Sequence, residues 1–141
     1  MLEPVRIANT CAFWGDRIEA SADLLRQDPR VDFLTLDYLA EVSMSILAKL
    51  RQRDPSKGYA QDFVEVVRSL IPFWKQGRKF RVVTNAGGLN PLGCAQACAA
   101  ELRSGGLTQL KIGVVGGDDV LETIRREPDN RRQERRGIVR D

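Results

Sequence analysis

A chain of 141 residues is long enough to bury one sizeable core and too short for several domains. Its 43% hydrophobic and 29% charged residues match a water-soluble globular protein. No apolar run reaches bilayer-spanning length and no secretory leader is evident, so a cytoplasmic location without membrane contact is expected. The three cysteines are an odd number, which argues against a disulfide framework.

The net charge is +3, but it is unevenly spread. Residues 121–141 hold seven arginines against five acids, whereas the rest of the chain is almost balanced. No basic stripe interleaved with aromatics appears, which argues against nucleic acid as a partner. Histidine is absent. That removes serine–histidine and cysteine–histidine catalytic pairs and the usual zinc sites, leaving carboxylates, cysteine, lysine, tyrosine, backbone groups or a bound cofactor of unknown kind.

The elements alternate along the chain. Val5–Ala8 reads as a strand and is followed by the loop "NTCAFWGD". A helix with Ile18, Ala22 and Leu25 on one face comes next, opened by Asp16 and Glu19 as a capping-box variant and stopped at Asp28-Pro29. Val31–Leu36 is a second strand. Asp37 then caps a helix whose apolar face is Leu39, Val42, Ile46 and Leu50, with Arg51 and Arg53 at its carbonyl end. A third helix carries Phe63, Val67, Leu70 and Trp74, with Pro72 expected to kink or break it. Phe80–Thr84 is the third strand. A fourth helix starts near Pro91, a residue preorganised for a helix start, and closes at Gly105-Gly106. Lys111–Val115 reads as a fourth strand, and Val120–Arg125 begins a last helix.

Strands alternating with amphipathic helices imply α/β architecture: a doubly wound, mainly parallel four-stranded sheet with helices on both faces, a three-layer sandwich. Residues 1–120 would form this domain and 121–141 an arginine-rich, partly helical or disordered tail. With strand order 2-1-3-4, the first and third strands are neighbours.

In such sheets ligands lie beyond the carboxyl ends of the strands. Four loops fall there. The first supplies Asn9, Trp14, Gly15, Asp16 and Arg17. The second supplies Asp37, the third Asn85, Gly87, Gly88 and Asn90, and the fourth Asp118 and Asp119. The glycine pair at Gly87 lacks the spacing of dinucleotide binders and the lysine of a phosphate-binding P-loop. It suits either a tight turn or a helix N-terminus offering free N–H groups to an anion. Asp16 and Asp37 suit helix capping at least as well as catalysis. No metal site is expected, because the adjacent acids Asp118 and Asp119 point different ways. Cys94 and Cys98, four residues apart on one helix, read as core packing.

Four segments in order, "RIANTCAFWGDRIEA", "LDYLAEVSMSILAKLRQRDPSKGYAQDFV", "VVTNAGGLNPLGCA" and "KIGVVGGDD", resemble the N-terminal part of the acyclic terpene utilisation protein family, AtuA. Gly15, Asp16 and Arg17, Asp37 to Glu41, Thr84 to Pro91, and Gly117 to Asp119 carry the likeness, which covers about residues 5 to 120. The resemblance implies bacterial breakdown of acyclic terpenes such as citronellol and geraniol, alongside acyl-CoA carboxylases and dehydrogenases. It also implies that the chain is a truncated copy of a larger domain, since family members are longer. Three readings follow. The first is an acyl or acyl-CoA-like ligand bound at the strand-end loops, with or without catalysis. The second is a non-enzymatic module docking onto a carboxylase-type partner or onto a second copy. The third is an inactive remnant.

Overall fold

The computed structural model describes residues 3–126. Three strands, β1 (Ile7–Cys11), β2 (Phe33–Leu36) and β3 (Arg81–Thr84), alternate with helices α1 (Ala20–Gln27), α2 (Glu41–Arg53), α3 (Asp62–Lys75), α4 (Pro91–Ser104) and α5 (Leu121–Arg126). All strand pairs are parallel and the order is β1-β2-β3. The α/β class read from the sequence therefore holds.

Its finer arrangement differs. β2, not β1, is central, so β1 and β3 are separated by a strand instead of adjacent. Leu34 and Leu36 of β2 are buried, while Ala8 of β1 and Val82 of β3 are half-buried. The sequence shows each strand's pattern but not its neighbours, and short apolar runs of equal length give no order.

A sequential order with right-handed crossovers sends every connection over the same side of the sheet. Accordingly α3 packs against both α1 and α4, forming one helical layer. Leu25, Leu34, Leu70 and Val66 fill the space between layer and sheet. The opposite sheet face carries Ile7, Phe33 and Arg81 in one register row and Asn9, Thr35 and Val83 in the next. Ile7 is 66% and Val83 54% exposed. The Arg81 guanidinium lies 5.3 Å over the Phe33 ring and shields it in part. Among the described residues, then, the domain has two layers, not the three expected.

The fourth strand is also absent among the described residues. Lys111–Val115 has strand-like composition, but it forms no ladder and is exposed, Val115 to 92%. Ile112 and Val114 instead border a groove of about 370 Å³ along α4, with Leu92, Ala95 and Ala99 opposite. Composition favours a strand, but only a partner edge makes one.

Other local readings shift too. β1 begins two residues later than the Val5 start and runs on to Cys11. α3 passes through Pro72 unbroken. The proline sits in its last turns, where Leu70 and Phe73, both buried, anchor the helix on either side. α2 buries Ser43 and Leu47; of the expected apolar stripe Val42 and Ile46 are exposed, while Leu39, ahead of the helix, and Leu50 are half-buried. Its start is Glu41, too far from Asp37 to be capped by it; the Ser43 hydroxyl accepts from the Ala40 amide at 2.7 Å instead. The last helix appears one residue late, and the tail beyond Arg126 lies outside the described residues. Cys94 and Cys98 are buried on α4, as packing residues should be.

One long-range tie sets the spacing of helix layer and sheet. Arg78, just before β3, donates to the Leu25 carbonyl at 2.6 Å and the Asp28 carbonyl at 3.4 Å, at the end of α1. Its guanidinium also lies 5.4 Å from the Phe73 ring centroid. A cation on the carbonyl end of a helix meets the negative end of its dipole. Arg78→Ala is expected to cost about 1–2 kcal/mol in urea unfolding, more than Arg78→Lys.

Candidate functional site at the carboxyl ends of the strands

The ladder between β1 and β2 slips at Thr10, so that Cys11 rather than Thr10 opposes Leu36. Regular alternation would have put Cys11 on the exposed sheet face. The bulge turns it inward, where it is buried, and leaves the Thr10 hydroxyl 2.7 Å from that of Ser21 on α1. Bulges re-aim side chains at the rims of sheets in this way.

Beyond the bulge, the first loop is folded on Asp16. Its carboxylate accepts the Ala12 amide at 3.1 Å and the Arg17 amide at 2.8 Å. These two backbone donors, Arg17 first, hold the carboxyl below its ordinary range. Asp16 is therefore not the cap of α1, which starts only at Ala20. It is the clasp of its own loop.

A cleft of about 400 Å³ opens between this loop, the outer edge of β1 and one face of α1. Asn9, Thr10, Asp16, Arg17 and Asp23 give it polar walls, and Ala12, Ala20 and Leu24 an apolar part. Arg17 donates to Asp23 at 2.9 Å, with its side chain 69% exposed. Asn9 spans the sheet end, donating to the Cys11 carbonyl and accepting from the Thr35 hydroxyl at 3.0 Å.

The other expected loops do not reach this cleft. Asn85 accepts the Tyr38 amide at 2.8 Å and donates to Asp37 at 2.7 Å, which fastens the end of β3 to the end of β2. The glycine pair is held within the protein. Leu89 donates its amide to Gly58, and Asn90 gives its amide nitrogen to the Ser56 and Lys57 carbonyls at 3.1 Å. Its side-chain oxygen accepts the Gly93 amide at 3.0 Å and caps α4. Gly87 packs against Pro91, and Gly88 against Leu47 and Gly58. Most of this loop's donors are thus used within the protein. With β2 between β1 and β3, the loop faces the 55–60 loop rather than Trp14.

Asp118 and Asp119 also lie apart. Asp119 accepts the Leu121 amide at 3.2 Å and sits 3.9 Å from Arg51, itself bonded to the Leu89 carbonyl. Among the described residues no three acids or cysteines converge to hold a metal.

A second polar group, missed by sequence reasoning, lies beneath Trp14. Cys11 donates its thiol toward the Phe13 and Asp37 carbonyls at 3.3 and 3.4 Å. Tyr38 is buried, with its ring edge-on to Phe63. Asp62, the first residue of α3, has an Oδ1 shielded from solvent with no hydrogen-bond partner. Burial pushes all three groups up, against the pull of the Gly15 amide and the Trp14 indole on Asp62. Nothing in the sequence marks Asp62, just ahead of Phe63, or announces the bulge that turns Cys11 inward.

The sequence profile of the acyclic terpene utilisation family protein AtuA matches residues 5–138. The chain belongs to this AtuA family. The match extends past Val120, the end of the four like segments, and takes in part of the arginine-rich tail. No curated protein and no solved structure gives a match. Among the described residues of this AtuA chain, no helix is long and apolar enough to cross a membrane.

Proposed function

We propose that this AtuA-family chain holds an acyl or acyl-CoA-like intermediate of acyclic terpene breakdown in the cleft beside β1. The observation that carries this reading is the cleft itself. It lies at the outer edge and carboxyl end of β1 and joins apolar wall to polar rim. Arg17 supplies the cation for a carboxylate or phosphate. Its ion pair with Asp23 is exposed and exchanges readily for a ligand.

Thermal melting tests this directly. A branched-chain acyl-CoA, or the free branched acid, is expected to raise the melting temperature by mass action, and coenzyme A alone to do less. Arg17→Ala is expected to weaken the ligand by about tenfold, roughly 1.4 kcal/mol, and to leave the ligand-free melting temperature nearly unchanged. If neither acyl compound shifts the transition at millimolar concentration, the reading falls.

A further inference from the structure

Two features of the sheet adjoin each other, and the cleft uses neither in full. One is the open face. Ile7, Phe33 and Arg81 form the row nearest the amino ends of the strands, with Asn9, Thr35 and Val83 behind it. Ile7 and Val83 are each more than half exposed. Parallel sheets are ordinarily covered on both faces. Here, among the described residues, only the layer of α1, α3 and α4 supplies a cover.

The other feature is the rim at the amino ends of the strands. Arg6 precedes β1, Arg30 precedes β2, and Lys79 and Arg81 bracket the start of β3. The helices run back along the sheet, so Arg26, Lys75 and Arg103 in the last turns of α1, α3 and α4 reach the same end. Acids are fewer there. Asp28 pairs with Arg30 at 3.0 Å and Asp32 accepts the Arg6 amide at 2.8 Å, which leaves Glu3 among the described residues. Within that same set the side chains of Arg6, Lys79 and Arg81 form no ion pair. The Arg81 guanidinium is already ordered, 5.3 Å over the Phe33 ring, and its planar fork matches a carboxylate.

Charge selects the occupant of this surface. Residues 127–141 hold five arginines against four acids, so they bring no surplus of negative charge. A second copy seated symmetrically on the same face sets Lys79 and Arg81 against their equals. A nucleic-acid backbone suits the rim but not the floor, since phosphates lose hydration against Ile7 and Val83. An amphipathic helix with acidic residues at one end satisfies both parts. Three strands about 4.8 Å apart span the width of one helix, about 10 Å. On the covered face α1, α3 and α4 turn their carbonyl ends to this rim. A helix laid the same way brings the negative end of its own dipole to the cations.

We propose that the open sheet face docks an amphipathic helix of a partner protein, its apolar stripe on Ile7, Phe33 and Val83 and its acidic last turn at Lys79 and Arg81. The proposal does not rest on what the cleft beside β1 holds.

The test selects the partner's chemistry without knowing the partner. Helical peptides with a fixed leucine stripe, and glutamate, lysine or glutamine drawn at random in the first and last turns, are displayed and selected on the full chain at physiological ionic strength. Glutamate is expected to be enriched in the last turn. On the chain carrying Lys79→Glu and Arg81→Glu, lysine should be enriched there instead. Val83→Asp, at an exposed position, should weaken the selected peptide roughly tenfold and leave the melting temperature nearly unchanged. Should the charge-reversed chain not fold, Lys79→Gln with Arg81→Gln should erase the glutamate preference. Selection without charge preference, or one that ignores these substitutions, overturns the proposal. So does a single-stranded oligonucleotide that binds this rim more tightly than the selected peptide, or a dimer of the chain that Val83→Asp dissociates.

Discussion

Gly88→Ala is expected to destabilise the domain by about 2–4 kcal/mol, visible as an early midpoint in urea at unchanged slope. Two costs combine. Gly88 has φ of +50°, in the left-handed region where a side chain costs about 1 kcal/mol. The added carbon would then stand 2.6 Å from the Leu47 side chain and 2.9 Å from the Gly58 carbonyl oxygen. Leu47 is buried and Gly58 is fixed by the Leu89 amide, so neither yields cheaply. Gly15→Ala is the control: it has positive φ but no neighbour within 4 Å, so it bears the backbone cost without the clash. A mild Gly88 effect would mean that this loop moves, and the anion-binding reading of the glycine pair would return.

Leu34→Ala should cost more still, about 3–5 kcal/mol in the same measurement. Leu34 is 0% exposed on the central strand and packs under the single helical layer. Val83, on the other face of β3, is the contrast. Alanine there should change stability by less than about 0.5 kcal/mol, because its side chain already meets water. The pair separates a two-layer domain from a three-layer one. Equal costs at the two positions would mean that both sheet faces are covered in solution.

The alternation of strands and helices was legible because periodicity is local. Ile18, Ala22 and Leu25 recur at helical spacing, and Phe33–Leu36 lies within the run that reads as extended. Strand order was not legible, since nothing in Ile7–Cys11 or Arg81–Thr84 records which edge meets Phe33–Leu36. The first loop stood out for its polar residues, and Asn9, Asp16 and Arg17 line one cleft. Asn85, Gly87, Gly88 and Asn90 stood out for the same composition, yet their groups are turned to internal bonds. Composition cannot tell a loop that serves a ligand from one that serves the fold. Asp62 escaped notice for a different reason. Its environment is made by Trp14 and Gly15, nearly fifty residues earlier, and by a bulge that only pairing produces.

Because each strand pairs only with the one before it, the sheet can grow in the order of synthesis. β1 and β2 meet across α1 alone, so this pair can close before the later helices leave the ribosome. β3 then docks on an edge already formed, and Arg78 arrives with it to seal the end of α1. A sheet that had to insert its third strand beside its first would instead wait for distant chain to return. The sequential layout thus suits stepwise folding from the amino end.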